Sequence, residues 1–95
     1  MDVDQQITKA ISEFIAWERP WEFRLSVLQS PHLEPSGRAA FDRIWSLAAE
    51  NPFWRECSDL TTASEAVEAS LQEAAPSLSA SEVASIVRAT SYDWR

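Results

Sequence analysis

The chain contains very few of the residues that usually build a chemical site. Its 95 residues include one glycine, one cysteine and one histidine. A single cysteine excludes an internal disulfide, and one cysteine with one histidine cannot form a zinc site of the Cys/His type. With one glycine, a glycine-rich phosphate-binding loop is also missing. We therefore predict no catalytic residues, no metal and no cofactor.

Long apolar runs are missing too. No segment approaches the roughly 20 consecutive apolar residues that span a bilayer. The first six residues are acidic and polar, whereas a secretory signal begins with basic residues followed by an apolar stretch. We expect no membrane partner and a cytoplasmic location.

Basic residues are scarce, with 8 Lys and Arg against 15 Asp and Glu and a net charge of −7. Phosphate backbones and anionic membranes are bound by clustered Lys and Arg, so we expect no direct nucleic-acid partner. An acidic protein instead attracts and steers a basic protein partner. The alternative interpretation is that the charge only keeps a small domain soluble.

The hydrophobic content of 45% is ordinary for a globular protein, and the length suits one domain. Apolar residues recur with helical spacing, and prolines separate the helical segments. We predict a compact all-α domain over residues 1–95, with four to six short helices in a bundle-like arrangement. The last two helices should form an antiparallel hairpin around Pro76.

The first half of the chain contains one clear helix and one ambiguous segment. The spacing from Asp4 to Glu18 predicts a helix that ends before Pro20. Residues 21–30 alternate like a strand but also fit helical spacing. Because no second alternating run exists to pair with it, we predict a helix with Pro20 at its first position. Strand addition between two copies is the alternative.

The second half has stronger signals for helix starts. We predict a helix over residues 37–50 capped by Ser36, and a short helical turn after Asn51. Two capping boxes, Thr62–Glu65 and Ser79–Glu82, predict the starts of the last two helices. The residues at the centres of the apolar stripes form the predicted core: Ile11, Phe14, Leu25, Phe41, Ile44, Trp45, Leu71, Val83 and Ile86.

The most unusual feature is the presence of five tryptophans, four of them beside charged residues. Indole side chains either fill a small core or anchor a partner. Trp17, Trp21 and Trp54 are therefore ambiguous. Trp94 is ambiguous as well, since it lies in register with the inner side of its helix and can also pack back onto the domain.

The predicted partner-binding residues lie in the last third of the chain. Glu65 and Glu68 stand three apart on one helix face without neighbouring lysines. Trp, Tyr and Arg dominate binding hot spots, so Tyr92 and Trp94 are the candidate anchors, and Asp93 beside them is the candidate pairing charge. His32 and Cys57 are interpreted as a solvated loop residue and a small buried side chain.

These observations favour a small acidic binding protein that acts by occupying the surface of a basic protein. In size, helicity and acidity the chain resembles bacterial immunity proteins that neutralise basic nuclease toxins. The resemblance is one of class and implies an inhibitor of immunity or antitoxin type. The alternative is a structural or accessory subunit, a helical homo-oligomer that exposes Trp17, Trp21 and Trp54 only within its assembly.

Overall fold

The computed structural model describes residues 2–92, which contain α-helices, one 3₁₀ turn and no strand. This confirms the all-α prediction and the predicted number of helices. In chain order the elements are α1 (Val3–Ser12), the 3₁₀ turn (Pro20–Glu22), α2 (Phe23–Leu28), α3 (Pro35–Ala49), α4 (Phe53–Glu56), α5 (Leu60–Ala74) and α6 (Ala80–Ser91).

Helix α1 ends at Ser12, so the predicted continuation to Glu18 is wrong. Its start is fixed by Asp2, whose carboxylate accepts a hydrogen bond from the amide of Gln5 at 2.8 Å. Beyond Ser12 the chain leaves the helix, and Phe14 and Trp17 pack on Phe23 with ring centroids 5.2 and 5.5 Å apart. These aromatic contacts are made by the segment that was predicted to form the last turns of α1. Ile15, an apolar residue within the predicted helix, is 84% exposed.

The segment from Pro20 to Leu28 is helical, as predicted, and Pro20 occupies the first position of the 3₁₀ turn. Its inner face differs from the prediction. Phe23 and Val27 are completely buried, whereas Trp21 is 66% and Leu25 is 57% exposed. The prediction that Leu25 belongs to the core is wrong.

Helix α3 begins at Pro35, and Ser36 does not cap it. Gln6 of α1 instead binds Glu34, the residue directly before the helix. The Oε1 atom of Gln6 accepts a hydrogen bond from the amide of Glu34 at 2.8 Å, and its Nε2 atom donates to the Glu34 carboxylate at 3.3 Å. Gly37 lies directly beneath Gln6, where a side chain would meet Oε1 at 2.3 Å. This contact joins α1 to α3 across 28 residues.

Helix α4 follows the predicted Asn51 turn. The side-chain oxygen of Asn51 accepts a hydrogen bond from the amide of Phe53 at 3.0 Å. Trp54 of α4 is buried and donates from Nε1 to the carbonyl of Ala48 at 2.7 Å. The indole thus fills the core and satisfies the end of α3 at the same time.

The two predicted capping boxes have different outcomes. Ser79 caps α6 as predicted, accepting from the amide of Glu82 at 3.3 Å. The Glu82 carboxylate is buried, and its Oε1 accepts from the hydroxyls of Ser79 and Thr8 at 3.0 and 2.9 Å. By contrast, α5 begins at Leu60 with Asp59 as its cap. The prediction that a capping box at Thr62 starts this helix is therefore wrong.

The hydrophobic core draws buried residues from every helix. Phe41, Leu71, Val83 and Ile86 are almost completely buried, and Ile11 and Phe14 nearly so, as predicted. Ile44 and Trp45 are partly buried and pack against this core. Helices α5 and α6 pack against each other more extensively than any other pair, which gives the predicted C-terminal hairpin.

Candidate functional site

The predicted acidic residues lie on α5. Glu65 is exposed and Glu68 is half-buried, and residues 2–92 contain no ion pair that involves either carboxylate. We call this pair the acidic face. Because the two residues are three apart on a helix, their carboxylates project from neighbouring positions on one side.

The acidic face lacks compensating charge over a long stretch of chain. Residues 56–87 contain six Asp and Glu residues and no Lys or Arg. The next basic residue, Arg88, places its guanidinium over the ring of Trp17, 4.3 Å from the centroid. Two acidic residues of the first half pair with arginines, Glu22 with Arg19 at 3.3 Å and Asp42 with Arg24. Residues 56–87 form the longest stretch of the chain without a basic side chain.

The predicted site residues within the described range lie on two helices that pack against each other. Glu65 and Glu68 belong to α5, and Tyr92 directly follows α6. Tyr92, at the end of α6, is half-buried. Asp93 and Trp94 lie outside the described residues. Their predicted roles as pairing charge and anchor stay predictions.

The capping carboxylate of α5 belongs to the same acidic stretch. The amide of Thr62 donates to the Asp59 carboxylate at 2.7 Å, and the Thr62 hydroxyl donates to it at 2.9 Å. These two hydrogen bonds, the backbone bond first, lower the pKa of Asp59 below its ordinary value of 3.8. Asp59 therefore keeps its negative charge in mildly acidic solution.

Replacing Thr62 by valine should raise the pKa of Asp59 part of the way back toward 3.8, because the hydroxyl bond is lost and the stronger amide bond remains. Chemical shifts of the Asp59 side chain, followed by NMR during an acid titration, measure this. Since the folded pKa is the lower one, the cap stabilises the protein above the unfolded pKa and loses its effect as pH falls through the folded value. An unchanged Asp59 pKa in Thr62→Val would contradict the hydrogen bond from the Thr62 hydroxyl.

The tryptophans divide into packed and exposed residues. Trp54 is buried, while Trp17 and Trp45 stack on Phe23 with centroids 5.5 and 6.0 Å apart. Trp21 alone among the four tryptophans within residues 2–92 is predominantly exposed. Helical spacing leaves Trp21 ambiguous and places its neighbour Leu25 inside, so the sequence does not predict this exposed pair.

The remaining titratable candidates do not form a reactive cluster. Nε2 of His32 lies 2.5 Å from the Glu13 carboxylate and so links the loop before α3 to the end of α1. Cys57 is half-buried at the end of α4. Across residues 2–92 no three His, Cys, Asp or Glu side chains are grouped to hold a metal ion. The same residues include no helix long and apolar enough to cross a bilayer.

Comparisons with protein-family models, with curated proteins and with solved structures find no match to this chain.

Proposed function

We propose that this protein is a small acidic binding module that acts by occupying the surface of a basic protein, in the manner of an inhibitor of immunity or antitoxin type. The observation that carries the proposal is the acidic face, for which residues 2–92 provide no ion-pair partner. Such charges are available to pair with a binding partner, and they attract it from a distance.

The packing of the helix under the acidic face supports this role. Helix α5 is capped by Asp59 and packs along α6, with Ala63, Val67 and Leu71 buried. The helix backbone is already ordered before a partner arrives, so binding has to order only the glutamate side chains. The proposed contributions are steering by Glu65 and Glu68 and anchoring by Tyr92 and Trp94, with Asp93 as a further pairing charge.

Neutralising the acidic face should slow binding to a basic partner. In Glu65→Gln combined with Glu68→Gln, we expect the association rate at low salt to fall by roughly ten-fold and its salt dependence to flatten, because peripheral charges act mainly on encounter. The dissociation rate should change much less. Surface plasmon resonance at several ionic strengths measures both rates.

The matched control removes the same number of charges elsewhere. Glu18 and Glu50 are exposed and lie outside α5. Replacing both by glutamine changes the net charge equally, and we expect a clearly smaller effect on association. If the two double variants slow association equally, net charge alone is responsible and the acidic face has no special role.

A further inference from the structure

Arg88 and Trp17 form a contact that is separate from the acidic face. Cζ of Arg88 lies 4.3 Å from the centroid of the Trp17 ring. Trp17 stacks on the completely buried Phe23 and meets Phe14 edge-on, with ring centroids 5.5 and 4.9 Å apart. The indole is therefore held by the core, and it fixes the position of a guanidinium that is itself exposed. We call Arg88 and Trp17 together the arginine site.

The hydrogen-bond donors of the arginine site have no acceptor within residues 2–92. Neither the Arg88 guanidinium nor the Trp17 indole N–H makes a hydrogen bond or an ion pair in that range. Glu82 Oε2 is the one buried side-chain nitrogen or oxygen there without a partner, so the indole N–H of the half-buried Trp17 is open to solvent. Two neighbouring unpaired donors of this kind form a site for an acceptor.

The charge of the arginine site selects an anionic acceptor. Residues 83–92 contain Arg88 as their single charged residue. Glu18, which follows Trp17 in the chain, makes no ion pair with Arg88. An arginine in this state fits an anion with two acceptor oxygens, which it can bind through two parallel N–H bonds. In a protein partner, that anion is the carboxylate of an Asp or Glu side chain.

The arginine site also adjoins one of the proposed anchors. Arg88 precedes Tyr92 by four residues, and Tyr92 continues the helical backbone of α6 as its C-cap. Residues at this spacing are neighbours on one side of a helix. Trp, Tyr and Arg are the residue types that contribute most to binding hot spots, and Trp17, Arg88 and Tyr92 combine all three.

We propose that Arg88, positioned by Trp17, binds the carboxylate of one Asp or Glu of the partner protein and so fixes the register of the partner at Tyr92. This inference rests on the proposed function, because it takes the partner to be the basic protein that the acidic face attracts. A basic protein still carries acidic residues, and one of them opposite Arg88 makes the orientation of the complex specific. The acidic face then governs encounter, whereas Arg88 governs the lifetime of the complex.

The direction of the change in Arg88→Gln tests the inference. The substitution removes one positive charge from a chain of net charge −7, so steering alone predicts that a basic partner binds as well or better. We expect the complex to dissociate roughly ten-fold faster or more, with little change in the association rate. The probe is the basic protein that the immobilised wild type retains from a lysate of the native host, purified and measured by surface plasmon resonance.

Arg43→Gln is the matched control. Arg43 is an exposed arginine of α3 that makes no ion pair within residues 2–92, so its loss removes the same charge. The complex of this variant should dissociate at the wild-type rate. Arg88→Lys keeps the charge but loses the planar fork, and its complex should still dissociate several-fold faster. Because Arg88 is exposed, its variants should keep the helical circular dichroism of the wild type.

A wild-type dissociation rate in Arg88→Gln, or an equal acceleration in Arg43→Gln, would overturn the inference. If Glu65→Gln combined with Glu68→Gln slows association in the same experiment, the proposed function stands and this inference alone fails. If Arg88→Gln accelerates dissociation while that double variant associates like the wild type, the inference holds and the role of the acidic face fails. A wild type that retains no basic protein contradicts both.

Discussion

Replacing Phe23 by alanine is expected to destabilise the protein by about 3 to 5 kcal/mol, whereas Leu25→Ala should change its stability by less than about 1 kcal/mol. Phe23 is completely buried and its ring contacts those of Phe14, Trp17, Phe41 and Trp45. Alanine would leave a cavity at the centre of this aromatic cluster. Leu25, two residues away on the same helix, loses little because it is already largely exposed. Urea denaturation followed by circular dichroism compares the two variants.

A loss of this size is a large share of the stability of a small domain. Phe23→Leu, which leaves a smaller cavity, keeps the comparison measurable if the alanine variant does not fold. Phe23→Leu should still cost more than Leu25→Ala. The opposite order would mean that α2 is rotated and presents Leu25 to the core.

Gly37→Ala is expected to destabilise the protein by roughly 1 to 3 kcal/mol, although alanine normally favours a helix interior by about 1 kcal/mol over glycine. The added methyl group would lie 2.3 Å from Oε1 of Gln6 and 3.1 Å from a methyl group of Leu33. Gln6 would have to move and give up its hydrogen bonds to Glu34, which join α1 to the start of α3. Thermal or urea denaturation measures the change.

The cause can be isolated with a double-mutant cycle. In a Gln6→Ala background the nearest obstructing atom is gone and the Leu33 methyl at 3.1 Å remains, so Gly37→Ala should become clearly less destabilising than in the wild type. Ala39→Gly, at an exposed position of the same helix, calibrates the propensity difference in α3. Equal effects of Gly37→Ala in both backgrounds would show that Gln6 does not restrict this position.

The sequence predicts the start of a helix correctly where the segment before it contains a single capping signal. Ser79 with Glu82 was the single strong start signal before α6, and the cap is there. Before α5 two signals overlap, since Asp59 precedes Thr62 by three residues just as Thr62 precedes Glu65. The earlier cap brings Leu60 into the helix, where it packs against the core. Burial of Leu60 thus supports the earlier start, which the capping pattern alone could not decide.

Helical periodicity does not show which face of α2 packs against the core. Trp21 with Leu25 and Phe23 with Val27 have the same spacing of four, so either pair fits an inner face. Long-range contacts select Phe23, because the rings it meets come from α3 and from the segment after α1. The same contacts explain why α1 stops early.

Helical spacing alone places Glu65 and Glu68 on one face of α5, since they are three residues apart on a helix that the sequence predicts. The exposure of Trp21 and Leu25 depends instead on which face of the short helix α2 packs against the core. Residues far away in the chain decide this, so the exposure could not be predicted from local spacing.

Affinity capture from the native host tests the proposed function most directly, with the wild type and the Glu65→Gln, Glu68→Gln double variant used in parallel at low and high salt. We predict that the wild type retains a basic protein at low salt, that the double variant retains much less of it, and that the Glu18→Gln, Glu50→Gln control retains it nearly as well as the wild type. The captured protein should lose its activity in the complex. Retention that is equal for all three chains, or a captured protein that is acidic, would contradict the proposal.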